Sequence, residues 1–439
     1  MPYEAGQRLP AERASRLGHL DVLKSPLVAK LCESFEDPGM SGLRQPLADW
    51  ERIPSGGAPL RKVFAVDGSL QVIANEIPPH KTLAFIKTAL LRVDQVALQS
   101  IDRHMPHPYA LRDLMADSAL YHATVLPMRH VRVPGMTVYD AIRRAIFESV
   151  KDASLEGEPM ETLKWLTYEK WGGQQRNLPP FECPHCGSGN ATLLYDSESG
   201  PCPDCGKELL LTDMLGFHLE MAEEAAPDVV ASAYMLIHET LLLFTGVRYF
   251  WEHKREVLAD CLFLKDGPLA IRAQYSKLVA PIRRFLEAAR TSGIEVCMAG
   301  QEKSGTFVDH LALIGPTAPE GALFVPGHDY IREEIQHRPV RGAPYGKDTN
   351  YGAKVFVKLS ERHQMVLSIP TRIPSGAYLK DPCVSDLIGA PQIFATLPTL
   401  LSSQYEGGLF PIELAHNVAS LSTYPSARVL AMFAEAHGA

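Results

Sequence analysis

Two short cysteine motifs constrain the chain most. Cys183-Pro-His-Cys186-Gly and Cys202-Pro-Asp-Cys205-Gly stand fifteen residues apart. Zn²⁺ takes four tetrahedral ligands, and each knuckle offers two thiolates on a tight turn. The glycine after each second cysteine permits the positive φ that such a turn needs. The spacing is that of a zinc ribbon, with a redox Cys-x-x-Cys pair as the alternative. Four protein ligands close the site, so the predicted Zn²⁺ is structural, and His185 and Asp204 inside the knuckles are not expected to be ligands. Eight cysteines in 439 residues are too few for a disulfide scaffold, which places the pairs in a reducing compartment.

Composition narrows the class. A hydrophobic share of 46% is too high for a disordered chain. No apolar run approaches the ~20 residues of a membrane span, and the start MPYEAGQRLPAER is not a signal peptide, so a cytoplasmic protein without membrane contact is predicted. The 43 basic and 51 acidic residues give a net charge of −8, which argues against nucleic-acid binding by bulk charge while allowing a local basic groove. Residues 1–57 read as a helical lead-in, closed by the breaker cluster RIPSGGAP. A hairpin is predicted from a strand at 60–66, a turn at Asp67-Gly68-Ser69 and a strand at 70–77. Helical spacing marks 82–99, 137–150, 159–168 and 228–251. Strand, helix and strand follow at 259–264, 273–292 and 294–300, then a hairpin at 353–371 and a helical tail. The predicted domains are the lead-in, a core at 58–80 and 226–439, and an insertion at 81–225 carrying the ribbon at 181–208. The fold class is α/β, with a mixed sheet flanked by helices and helical N- and C-terminal segments.

Several side chains are candidates for chemistry. VFAVDGS (63–69) and LFLKDGP (262–268) each end an apolar strand in Asp-Gly, at Asp67 and Asp266. Two such carboxylates facing one cleft can hold a hard divalent cation, although Asp-Gly is also a common turn dipeptide. Glu239 has Met235, Leu236, Leu242 and Leu243 as helical neighbours. A carboxylate on an apolar stripe needs a partner, either a cation or a salt bridge to Arg248 or Lys254. Glu252 and Glu256 compete with it on the same stretch. His416 follows Pro411 on a predicted helix. Arg272, Lys277, Arg283, Arg284, Arg290 and Lys303 outnumber Glu287, Glu295 and Glu302 over 271–303, forming either a phosphate-facing strip or a solvated helix face. The chain has no Walker-type phosphate loop, dinucleotide fingerprint, nucleophile elbow or HExxH motif.

Taken in order, Val66-Asp67-Gly68-Ser69, Glu239, Leu264-Lys265-Asp266-Gly267-Pro268-Leu269, Glu302-Lys303-Ser304 and Phe410-Pro411-Ile412-Glu413-Leu414-Ala415-His416 resemble the NurA family of DNA-end-processing nucleases. The resemblance covers 60–77, 228–310 and 350–425. Pro268 stands where the family favours Ser, and the long stretch between Asp67 and Glu239 looks like an inserted module. The resemblance implies an RNase H-like core and a metal-dependent deoxyribonuclease. Asp67, Glu239, Asp266 and His416 would bind Mn²⁺ or Mg²⁺, and Lys303 would face the phosphate; Tyr405 is a candidate for the family's aromatic near the histidine. It also implies end resection and single-strand cleavage, a homodimer and work beside a HerA-type hexameric translocase, in double-strand-break repair or phage defence. The apolar segment 18–35 is the expected docking element, unless it packs on its own domain or in the dimer. The competing reading is a non-catalytic DNA- or protein-binding subunit that uses the ribbon. A shared metal site requires the carboxylates to converge within ~5 Å.

Overall fold

Period-two alternation of apolar residues builds the centre of the computed structural model. It describes residues 22–35, 48–74, 78, 80–94, 119–131, 133–223, 225–373, 378–402, 407–421 and 426–436. The chain divides into two units, Met1–Leu47 and Ala48–Ala439. In the first, helix α1 (Pro26–Glu33) is capped by the Ser25 side chain and has no buried residue. The predicted docking segment is described only from residue 22.

The second unit is organised on a nine-stranded sheet. In chain order its strands are β1 (Glu51–Arg52), β2 (Lys62–Ala74), β3 (Thr82–Asp94), β4 (Ala119–Arg129), β7 (Cys261–Asp266), β8 (Cys297–Glu302), β9 (Ala322–Phe324), β10 (Ala353–Ser360) and β11 (His363–Ile369), while β5 (Ser199–Pro201) and β6 (Glu208–Leu210) form a separate ribbon. The spatial order is β1-β9-β10-β11-β8-β7-β2-β3-β4. Its heart is the antiparallel meander β2-β3-β4, with β7 parallel to β2 and β8 parallel to β7. That arrangement is RNase H-like. The longer helices of this unit are α2 (Val138–Val150), α3 (Glu158–Thr167), α4 (Asp228–His253), α5 (Val279–Thr291), α6 (Thr306–Ile314), α7 (Ala390–Thr396), α8 (Phe410–Ala419) and α9 (Ser426–Ala436).

The pleat sorts β2 and β7 onto two cores. Phe64, Val66 and Phe263 face one side, in a cluster with Ile237 and Leu241 of α4. Val63, Ala65, Leu262 and Leu264 face the other, with Ile412 and Ala415 of α8. Helix α4 is long and apolar enough to cross a bilayer by length and composition, which the sequence reading did not find. However, 72% of its apolar stretch is buried inside the protein, as befits a core helix.

Five expectations need correction. The Asp67-Gly68 turn is the middle of one continuous strand, where Asp67 pairs with Ala89 and Gly68 with Thr88. Residues 82–94, read as helix, form β3, because a ladder along all of β2 outweighs local helical spacing. The insertion therefore does not begin at 81: β3 and β4 belong to the central sheet. The ribbon that follows is no separate body either, since Phe181, Leu193 and Leu209 join the same apolar cluster as α4. Finally, the lead-in ends before residue 57. Trp50 packs on Phe324, and Arg52 pairs with Ala322 at the sheet edge, so the breaker cluster runs over the main body instead of separating two.

Candidate metal centre and cysteine cluster

The side chain of Asp67 follows from the pleat. Val63 and Ala65 face α8, so Asp67 does too, whereas Gly68 faces α4. In β7, Leu262 and Leu264 face α8, which puts Asp266 on that side and Lys265 on the α4 side. Val66 pairs in parallel with Lys265, so the two aspartates occupy the next position of neighbouring strands. Pro411 lies in the first turn of α8, and the helix brings His416 over Asp67. Donor atoms of Asp67, Asp266 and His416 all lie within 4.8 Å of one another.

The contacts are polar and specific. Asp67 Oδ2 lies 2.7 Å from His416 Nδ1, and its Oδ1 accepts a 2.7 Å hydrogen bond from the Gly68 N–H. Burial, and then the Asp266 charge, push the Asp67 carboxyl above its usual range, against the Gly68 and His416 hydrogen bonds. A buried carboxylate beside a second one is a site in want of a cation. Lys303 Nζ reaches Asp266 Oδ2 at 3.1 Å, and with 42% of its side chain exposed it is free to move. A cavity of about 540 Å³ opens here, lined by Asp266, Lys303 and His416 and walled by Val308, Leu311 and Val366. Two carboxylate donors and an imidazole suit Mn²⁺ or Mg²⁺ in kind.

Glu239 is placed differently from the sequence reading. It is not in the converging group, and it approaches from the α4 side of the sheet, where its carboxylate forms an ion pair with Lys265. Burial raises its pKa to about 7, although Lys265 pulls it down. Neither Arg248 nor Lys254 is the partner; Arg248 pairs with Glu158 and Glu252. Lys265 was missed. Its signal was a single lysine inside the apolar run CLFLKD, which burial turns into a demand for a counter-ion. Gly68 explains the misread turn: a Cβ there would stand 2.5 Å from Glu239 Oε1, so glycine serves close approach and not chain reversal. The other pair, Asp266-Gly267, does end its strand, with Gly267 at φ 87°. Much of the basic strip has internal partners, with Arg283 on backbone carbonyls, Arg284 on Glu169 and Arg290 on Glu287. Tyr405 lies outside the described residues.

The four cysteine sulfurs also lie within 4.8 Å of one another. Each knuckle repeats one turn: the Gly187 N–H donates to the Cys183 carbonyl at 3.0 Å, and the Gly206 N–H to the Cys202 carbonyl at 2.9 Å. Both glycines have the expected positive φ, 69° and 71°. Cys183 and Cys205 sulfurs are 3.9 Å apart, close to the edge of about 3.8 Å for a tetrahedron with ~2.3 Å Zn–S bonds. His185 is held by the Glu208 carbonyl, and Asp204 bridges Ser188 and Asn190, so both have other work.

Comparison with known proteins follows this geometry. Neither a family model nor a curated protein matches the sequence. Solved structures of NurA do match. One NurA crystal structure aligns over 96% of this chain and 98% of its own, with 11% identity and a TM-score of 0.29. NurA bound to dAMP and manganese aligns over 96% of each chain, with 13% identity and a TM-score of 0.29. NurA with manganese covers 95% of this chain and 96% of its own, at 12% identity and a TM-score of 0.23. The likeness to NurA is one of extent along the chain.

Proposed function

We propose that the protein is a metal-dependent deoxyribonuclease that processes DNA ends. The observation that carries this reading is the convergence of Asp67, Asp266 and His416 beside a cavity that Asp266, His416 and Lys303 line. A subunit that only binds DNA or protein has no need of two aspartates brought together on neighbouring strands. A divalent cation held by these residues supplies Lewis acidity toward water and phosphate. The chain's own groups do the rest. Asp67 is fixed by the Gly68 amide and His416, so its free lone pairs point in a set direction. Lys303 turns from Asp266 to a phosphate oxygen and neutralises charge that develops there. The imidazole of His416, half-exposed, closes the site from the helix side. The four-cysteine cluster fits one structural Zn²⁺.

The test is cleavage of linear and circular DNA with Mn²⁺ or with EDTA, comparing wild type with Asp67→Ala. Cation-dependent cleavage that the substitution removes supports the reading; equal cleavage by a folded Asp67→Ala protein refutes it.

The partner reading belongs to the same proposal. The chain works as a homodimer beside a HerA-type hexameric translocase, in double-strand-break repair or phage defence. Support comes from the lack of a nucleotide-binding motif and from α1, where Leu27 and Leu31 lie one turn apart and are 65% and 48% exposed. Co-purification with such a translocase, then DNA degradation with and without ATP, tests it. Full processive activity from the isolated chain, with no complex at micromolar concentration, overturns the partnership.

A further inference from the structure

We infer that Lys265 is a fixed internal counter-charge that restricts the Asp67–Asp266–His416 centre to one divalent cation and holds Glu239 out of its coordination. The inference rests on the nuclease reading above and specifies how this chain has built that site.

Three observations carry it. The first is the pleat, which sends Asp67 and Asp266 to the α8 side of the sheet while Lys265 and Gly68 face α4. Glu239 thus meets Lys265 under the sheet and not the aspartates above it, and it is absent from the group whose donor atoms converge. The second is burial. Lys265 is 1% exposed and Glu239 2%, and the Lys265 ammonium donates both to the Glu239 carboxylate and, at 3.2 Å, to the Asp266 carbonyl. An ammonium held from two sides without access to water cannot swing away when a cation arrives. The third is the space made for the pair. A side chain at position 68 would strike Glu239 Oε1 at 2.5 Å and Met235 Cγ at 2.7 Å, so the strand is pared to glycine where the carboxylate rests.

The charge balance then follows. With a cation bound and all three carboxylates ionised, Asp67, Asp266 and Glu239 bring three negative charges, and Lys265 cancels one. A single divalent cation neutralises the remainder, whereas a second would leave an excess of two positive charges beside the buried Lys265 ammonium. Lys303 does not change this count, because it is 42% exposed and can leave Asp266 for solvent or phosphate. Lys265 is accordingly a positioning residue, acting through Glu239 and the field beneath the metal.

The test uses the full chain with its cysteine cluster loaded with zinc, titrated with Mn²⁺ and followed by electron paramagnetic resonance and equilibrium dialysis. Wild type is expected to take up one Mn²⁺ per chain. Glu239→Gln, which still accepts from Lys265 but takes one negative charge out of that count, should weaken Mn²⁺ binding three- to tenfold, while Asp67→Asn should lose at least thirtyfold. Lys265→Met, similar in length and uncharged, should bind a second Mn²⁺ or hold the first at least tenfold more tightly. Two equivalent Mn²⁺ ions in wild type, a thirtyfold loss in Glu239→Gln, or a folded Lys265→Met with unchanged count and affinity would each overturn the inference. If Lys265→Met does not fold, the wild-type count and Glu239→Gln decide. Mn²⁺ binding that is indifferent to Asp67→Asn and Asp266→Asn would instead overturn the metal-site reading itself.

Discussion

A single methyl group tests the crowding around Gly68. In Gly68→Ala the new Cβ meets Glu239 Oε1 and Met235 Cγ at distances that real contacts do not show. Overpacking of this kind costs about 1–3 kcal/mol, and here it also pushes a buried carboxylate off its lysine. We expect a lower urea midpoint for Gly68→Ala and weaker Mn²⁺ binding; wild-type values for both would contradict the description of this contact. Asp266→Asn removes one donor and the anchor of Lys303, and it should reduce Mn²⁺-dependent cleavage at least a hundredfold with an unchanged circular dichroism spectrum. What was legible at this scale was identity. Asp67 and Asp266 were marked by apolar strands leading into Asp-Gly and His416 by the family resemblance, and the structure brings the three together. The partnership of Glu239 with Lys265 was not legible, because it joins residues 26 positions apart through a pleat whose phase no local pattern fixes.

Helices and loops beyond the sheet depend on polar pins as much as on apolar contact. Arg143 of α2 grips Asp213 with two hydrogen bonds of 2.9 and 2.8 Å, and Asp213 also accepts from the Leu210 N–H at 2.8 Å. Both side chains are buried, so Asp213→Ala leaves the guanidinium with only the more exposed Asp140 as counter-ion and should cost up to ~3–5 kcal/mol, read as a fall in the unfolding midpoint. The cysteine cluster is pinned to the same helix, since Tyr139 of α2 donates to the Pro184 carbonyl at 2.8 Å. Chelating zinc should therefore raise amide exchange across 181–211 and in α2, leaving β7 and β8 protected. Equal protection with and without chelator would show that the knuckles stand without metal. Long, strongly periodic elements such as α4, the β10-β11 hairpin and both knuckles were readable from their residues. Strand β3 was not. TLAFIKTALLRVD spaces its apolar residues as an amphipathic helix would, and only pairing with β2 and β4 on either side decides for strand.

Acid sensitivity is a property of the whole folded molecule. His310 is 6% exposed, donor or acceptor to the Tyr330 hydroxyl at 2.9 Å, and burial lowers its pKa to about 4. His122 is shifted in the same direction by burial, against the pull of Asp152. A histidine lowered in the folded state takes up its proton first in the unfolded chain. The stability it lends is whole above the unfolded value of about 6.5 and is lost as pH falls toward 4, by up to ~1.4 kcal/mol per pH unit. His310→Gln should thus flatten the drop in urea midpoint between pH 7 and pH 5; parallel curves for mutant and wild type would assign the acid loss elsewhere. The connectivity of the metal centre has a different kind of consequence. Asp67 and His416 touch across 349 positions of sequence. At a ribosomal pace of ~5–20 residues per second, about 17–70 s pass between the synthesis of the first donor and the last. Throughout that interval the emerging polypeptide lacks His416, and for the first part of it Asp266 as well, beside the nucleic acid of the machine that is making it. A last donor this far along the chain defers the assembly of the Asp67–Asp266–His416 cluster until translation has passed it.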